Sequence, residues 1–166
     1  AISNCHASGS VLRTAGGTDT GFGGFAGFAG DGTSIAHSFS VGGVDYANQD
    51  DPADKGFVGT KSGAGVFTAN FFDAEASGQT SDAAGAAAPQ LTAAMNLQAT
   101  FTAAGWDFAG ETINGTEDIW EMDGSSNNGY PFFSWQSFPL PRVETHAVTE
   151  ITGGAATAGG EAIDPG

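Results

Sequence analysis

Cysteine and basic residues are the scarcest features of this sequence. One cysteine, Cys5, occurs in 166 residues, so no intramolecular disulfide staples the fold, and no Cys/His grouping has zinc or haem spacing. Stability has to come from packing. Four Lys and Arg stand against 19 Asp and Glu, giving a formal net charge of −15 and a sequence pI near 4.1. Such a field repels phosphates, which excludes nucleic acid and anionic membrane surfaces as partners. It keeps a secreted protein soluble and suits a saline habitat or divalent cations. No apolar run reaches the about 18 residues of a bilayer-spanning helix, so no membrane span is expected. The chain does not open on a basic and apolar signal, so for a secreted protein the signal was removed or lay upstream. Only 14% of residues are charged, and the scarcity of long side chains argues against a helical bundle.

Glycine and aromatics are plentiful instead: 27 Gly, 13 Phe and three Trp. The glycines let the backbone turn often, and the rings supply enough apolar surface for a core, which argues against disorder. The pattern is repetitive. Gly24-Phe25-Ala26-Gly27 recurs 32 residues later as Gly56-Phe57-Val58-Gly59, and each is followed at the same distance by an apolar residue, Ile35 and Phe67. An earlier copy begins at Ile2. This alignment places Ile2, Ile35 and Phe67 in one column, Cys5, Ser38 and Asn70 in a second, and His6, Phe39 and Phe71 in a third. The apolar runs are short and broken by Gly, Asp and Asn, as in short strands. One such unit cannot bury a face, but stacked units can. The expected class is therefore all-β, a β-solenoid of ~32-residue repeats.

The residues Gly23-Gly24-Phe25-Ala26-Gly27 and Ile2-Ser3-Asn4-Cys5-His6-Ala7-Ser8-Gly9 resemble the GLUG-motif repeats of large bacterial and archaeal surface proteins. The likeness continues through Phe72-Asp73-Ala74-Glu75-Ala76-Ser77-Gly78-Gln79, Leu91 to Met95, Gly105-Trp106-Asp107-Phe108, Ile119-Trp120 and Gly129-Tyr130-Pro131-Phe132-Phe133, covering about residues 1–138. Departures are Phe in place of the usual Leu of the glycine motif, Ala69 where Asn is common, and an acidic insertion from Asp45 to Lys55, expected as an exposed loop. The resemblance implies repeats over 1–80 and a closing cap over 81–138. Within that cap, Gln90 to Ala104 reads as a short helix or helical turn with Thr92 as a cap residue. Its Leu91, Met95, Leu97 and Phe101 would sit beside Trp106, Phe108, Trp120 and Trp135. Composition changes at Pro139-Leu140-Pro141. Residues 139–166 then read as a linker and two strands similar to the start of a fibronectin type III module, which by themselves cannot close a sandwich.

Few residues invite chemistry. Asp73 and Glu75 form the one carboxylate pair worth weighing for acid–base catalysis, against the reading of a solvated turn. His6 and His37 lie out of register by two positions, and His146 has no visible partner, so packing or surface placement is favoured over a metal role. No nucleophile with a base, phosphate loop or dinucleotide fingerprint is found, and no catalytic or cofactor-binding residue is assigned. The loops 48–54 and 123–128 offer oxygen ligands of the kind calcium accepts, making Asp50, Asp51, Asp54 and Asp123 the candidate calcium ligands, although such runs are first of all turn chemistry. Asn114-Gly115-Thr116 is an N-glycosylation pattern. The aromatics read as core, with a sugar-stacking platform as the alternative.

These features and the resemblance lead to the expectation of a non-enzymatic structural or adhesive module, extracellular or at a microbial cell surface. Its partners would be further copies, neighbouring domains, glycans or cell surfaces, and strand addition would make it a filament subunit. The competing expectation is a carbohydrate-binding or carbohydrate-active β-helix protein. A spacer in a large surface protease is a third.

Overall fold

A computed structural model describes residues 1–14, 20–47 and 53–136, and the backbone of four tail segments, 142–145, 149–152, 155–157 and 160–164. The chain divides into two compact units, Ala1–Ser134 and Trp135–Gly166.

Three passes of the chain build the first unit. The first pass holds β1 (Ile2–Ser3), β2 (His6–Ala7) and β3 (Val11–Arg13). The second holds β4 (Ala26–Ala29), β5 (Ser34–Ala36), β6 (Phe39–Ser40) and β7 (Val44–Tyr46). The third holds β8 (Val58–Lys61), β9 (Val66–Thr68) and β10 (Phe71–Asp73). Each strand pairs in parallel with its counterpart one repeat away. Ile2 faces Ile35 and Ile35 faces Phe67; His6 faces Phe39 and Phe39 faces Phe71; Val11 faces Val44, and Ala26 faces Val58. These are the columns read from the repeat. The second column is a polar ladder, with the Cys5 amide donating to Ser38 Oγ at 3.2 Å and the Ser38 amide to Asn70 Oδ1 at 3.1 Å. Asn70 Nδ2 closes it on the carbonyls of Ile35 and Ala86.

The turn before that ladder repeats one backbone conformation: Asn4, His37 and Ala69 have φ of 52°, 47° and 53°. Asn tolerates this left-handed region best, and Ala69 adopts it without that help. Glycine at the repeat motif is set by close approach of neighbouring passes. A Cβ on Gly59 would stand 1.8 Å from the Phe22 carbonyl oxygen, and one on Gly42 would stand 2.0 Å from that of Gly9.

Beyond the third pass come α1 (Ala74–Ser77), β11 (Ala88–Gln90), α2 (Thr92–Met95) and α3 (Gln98–Thr102), then β12 (Trp120–Glu121) and β13 (Phe132–Phe133). β11 continues the β10 edge in parallel, and β12 and β13 pair antiparallel. Helices of four or five residues do not persist alone, so burial holds them. Met95 and Phe101 are fully buried with Phe39, Phe71, Trp106, Phe108 and Trp120 in one cluster. Each such side chain contributes about 1.5–3 kcal/mol by leaving water. Ile35, Phe57, Val58 and Phe72 anchor a second cluster, in which the Phe25 and Phe57 rings stack at 4.4 Å.

The expected all-β solenoid is corrected by this architecture. The ladders belong to separate small sheets of two to four strands, and among the described residues three α-helices and two 3-10 turns lie among and beyond them. The physical reason is local. Turn formers cut the strands of the first unit to two to four residues, and the stretch 92–102 has no Val, Ile, Tyr or Trp to favour a strand. Smaller corrections follow. Thr92 does not cap its helix, because the N-cap of α2 is Leu91, with no side-chain cap bond. Leu91, Leu97 and Trp135 are exposed. The insertion from Asp45 to Lys55 is an exposed loop only in part: Asp45 and Tyr46 lie in β7, Lys55 is buried with Nζ donating to the Gly59 carbonyl at 2.7 Å, and 48–52 fall outside the described residues.

The second unit contains β14 (Arg142–Thr145), β15 (Thr149–Thr152), β16 (Ala155–Thr157) and β17 (Gly160–Asp164). β14 pairs antiparallel with β17, and β15 with β16, as the two halves of one hairpin path. The strands read at Arg142 to Thr152 and from Ala155 to Ile163 thus pair with each other.

Candidate functional site

Asp73, the first member of the candidate carboxylate pair, ends β10 and is the N-cap of α1. It is fully buried, not in a solvated turn. Its Oδ1 accepts from the amides of Glu75 and Ala76 at 2.9 and 2.8 Å and from Thr92 Oγ1 at 3.0 Å. Its Oδ2 accepts from the Tyr130 hydroxyl at 2.8 Å. Glu75 is exposed and receives the Thr92 amide at 2.8 Å. The two carboxylates therefore tie α1 to α2 and to Tyr130. With Oδ1 bonded three times and Oδ2 held by Tyr130, this carboxylate joins three segments of the chain. Burial, then the bond and charge of Asp73, push the Tyr130 hydroxyl up to about 12.

Of the candidate calcium ligands, the two described ones, Asp54 and Asp123, each have partners of their own. Asp50 and Asp51 lie outside the described residues. Asp54 is exposed and stands 3.6 Å from Lys55 Nζ. Asp123 closes its own turn, accepting from the amides of Ser125 and Ser126 and from both hydroxyls. Bonding to Ser126, led by its hydroxyl, lowers Asp123 to about 2. Among the described residues, no group of three or more His, Cys, Asp and Glu stands where it would hold a metal ion. Nor is any helix among them long and apolar enough to cross a membrane.

His6 continues an aromatic column, its ring stacked on Phe39 at 5.3 Å and near Phe133 at 5.7 Å. Burial lowers its pKa from the usual 6.5, and its Nδ1 is buried without a partner. His37 stands edge-on to Trp106 at 6.1 Å. His146 falls outside the described residues. Trp106 and Trp120 are buried, at 1% and 0% exposure, so neither is a sugar platform. Trp106 Nε1 instead donates to the Ala69 carbonyl at 2.9 Å.

Asn114, the glycosylation candidate, is half-buried. Its Nδ2 donates to the carbonyls of Thr102 and Trp106 at 2.7 and 3.2 Å. A glycan on that nitrogen would replace one of these protons, so in the folded chain Asn114 anchors its loop. This loop lines a cavity of about 330 Å³ together with Asn4 and His37 from the repeated left-handed turn. Asp107, Thr116 and Glu117 also line it. Asp107 is 8% exposed. Its Oδ2 accepts the Glu117 amide at 2.9 Å, while its Oδ1 is buried with no partner. Gly115 makes room for this carboxylate, since a Cβ there would stand 2.2 Å from Oδ2.

Sequence reasoning missed this cavity. Asp107 sits between Trp106 and Phe108, an acid inside an apolar run, and that was the one available signal. Its convergence with Asn4 and His37 depends on contacts between segments distant in sequence. No family model, curated protein or solved structure matches the chain.

Proposed function

We propose that this chain is a non-enzymatic structural or adhesive module of a microbial cell-surface or extracellular protein, and that it self-associates into filaments by strand addition. The observation that carries the reading is a row of sheet margins. β1 and β2 are the outer strands of their sheets, and β3 pairs with β7 alone. Their other edges have no strand partner among the described residues, and Ile2 and Leu12 on them are 42% and 61% exposed. Such edges recruit further strands. The tail offers strands of its own, because a two-stranded hairpin is marginal in water and gains by adding to a sheet. The bonding of Asp73 to three segments of the chain supports a scaffold over an enzyme, and the acidic balance suits an extracellular setting. The GLUG resemblance points the same way.

Electron microscopy of the native material, paired with intact mass, tests this. Filaments formed by residues 1–166 and lost on deleting 139–166 are the expected result, and a native subunit much heavier than 16.6 kDa would make these residues part of a longer surface protein. Dispersed monomers of residues 1–166 under all conditions would overturn self-assembly. Monomers that bind defined glycans on an array would replace this reading with the carbohydrate-binding one.

A further inference from the structure

Asp107 presents an electrostatic problem that the chain does not solve internally. A carboxylate oxygen buried without a partner is costly, and proteins resolve this with a cation, a donor or a proton. The basic side chains of the first unit are engaged elsewhere. The Arg13 guanidinium lies 3.7 Å over the Tyr46 ring, Lys55 bonds the Gly59 carbonyl and pairs with Asp54, and Lys61 lies 5.7 Å from the Phe67 ring. His37 shares the cavity but makes no ion pair with Asp107 within 4.0 Å.

We propose that the cavity walled by Asn4, Asp107, Asn114, Thr116 and Glu117 is a binding site for a hard divalent cation, calcium by its donor chemistry. The donors are oxygens: two carboxylates, two amide carbonyls and a hydroxyl. With Nδ2 of Asn114 committed to two backbone carbonyls, its Oδ1 is the atom left for a ligand. Calcium accepts six to eight oxygens in flexible geometry and completes its shell with water, whereas magnesium demands a tight octahedron that a cavity of this size does not impose. Two carboxylates with neutral oxygens also explain why no cluster of three His, Cys, Asp or Glu exists here. Gly115 is required by this arrangement, because any side chain there would strike the Asp107 carboxylate. The tripeptide Asn114-Gly115-Thr116 is thereby explained as cavity wall.

The test uses the full chain freed of divalent ions and titrated with calcium, and separately with terbium, whose luminescence the neighbouring Trp106 would sensitise. A dissociation constant of about 0.1–1 mM is expected, the range of extracellular calcium modules, together with a higher melting temperature in calcium. Asp107→Asn should weaken binding at least tenfold. Glu117→Gln changes an exposed side chain while keeping the backbone amide that holds Asp107, so it should fold and also weaken binding about tenfold. Asp123→Asn should leave binding unchanged. The proposal is overturned if calcium up to 10 mM neither binds nor shifts melting, or if folded Asp107→Asn and Glu117→Gln proteins bind as the parent does. Filament formation is scored separately, so failure here leaves the assembly reading standing.

Discussion

Removing the Asp73 carboxylate should unlock α1, α2 and Tyr130 from β10 at once. In Asp73→Ala the α1 cap is lost, at about 1 kcal/mol. The Thr92 and Tyr130 hydroxyls lose their acceptor, which costs about 1–3 kcal/mol for a fully buried group and less for these half-buried ones. The release of a buried charge offsets part of the loss. The net expectation is about 3 kcal/mol, or a melting temperature lower by roughly 10 °C for a chain of this size. Asp73→Asn keeps an oxygen for the Oδ1 donors and turns an NH2 toward a Tyr130 hydroxyl able to accept, so it should cost about 1 kcal/mol. Tyr130→Phe strands a buried Oδ2, and the Asp73→Asn/Tyr130→Phe cycle should show about 1 kcal/mol of coupling in urea unfolding. The reasoning is refuted if Asp73→Ala unfolds within about 0.5 kcal/mol of the parent. A glycan-cleaving activity that vanished in such a stable variant would make Asp73 catalytic.

Three further outcomes are expected. Ala69→Asn should stabilise the fold by about 0.5–1 kcal/mol, because Ala69 holds φ 53° where Asn is better tolerated; a melt higher by about 2 °C would register it. Gly59→Ala places a Cβ 1.8 Å from a backbone oxygen and should cost at least about 3 kcal/mol, read as insoluble or urea-sensitive protein. His6, whose folded pKa burial sets below 6.5, should make stability fall with acidification. Above about pH 7.5 both states are neutral and nothing is lost; as pH drops through 6.5 the unfolded chain takes up the proton first, and the loss is complete below the folded pKa. Urea midpoints for the parent and His6→Phe between about pH 8 and 5 should show a shallower acid decline in the variant.

The repeat displacement was legible because strand pairing puts chemically equivalent residues one pass apart. Gly24 and Gly56, or Ile35 and Phe67, therefore announce their registry without any knowledge of the fold. The aromatic core was legible for the same reason, since Phe39 and Phe71 share a column. The fold class was not, because whether short strands join into long sheets depends on how each turn twists, and no local pattern sets that. Leu91 and Leu97 were misjudged as core because each is the extended N-cap residue of a short helix, not a member of the helix itself, and both are exposed. The carboxylates divided similarly. Asp73 looked like an exposed turn acid until four donors from three segments were found around it.

By itself the sequence determined the spacing of the passes, the columns they form, the glycines where backbones touch and the acidic balance of the surface. All of these depend on residue size, charge and periodicity along the chain. Only the tertiary structure decided that both oxygens of Asp73 have donors and that one oxygen of Asp107 has none. A carboxylate's role depends on which donors distant segments deliver to it, and closing those long loops is a property of the whole packed chain.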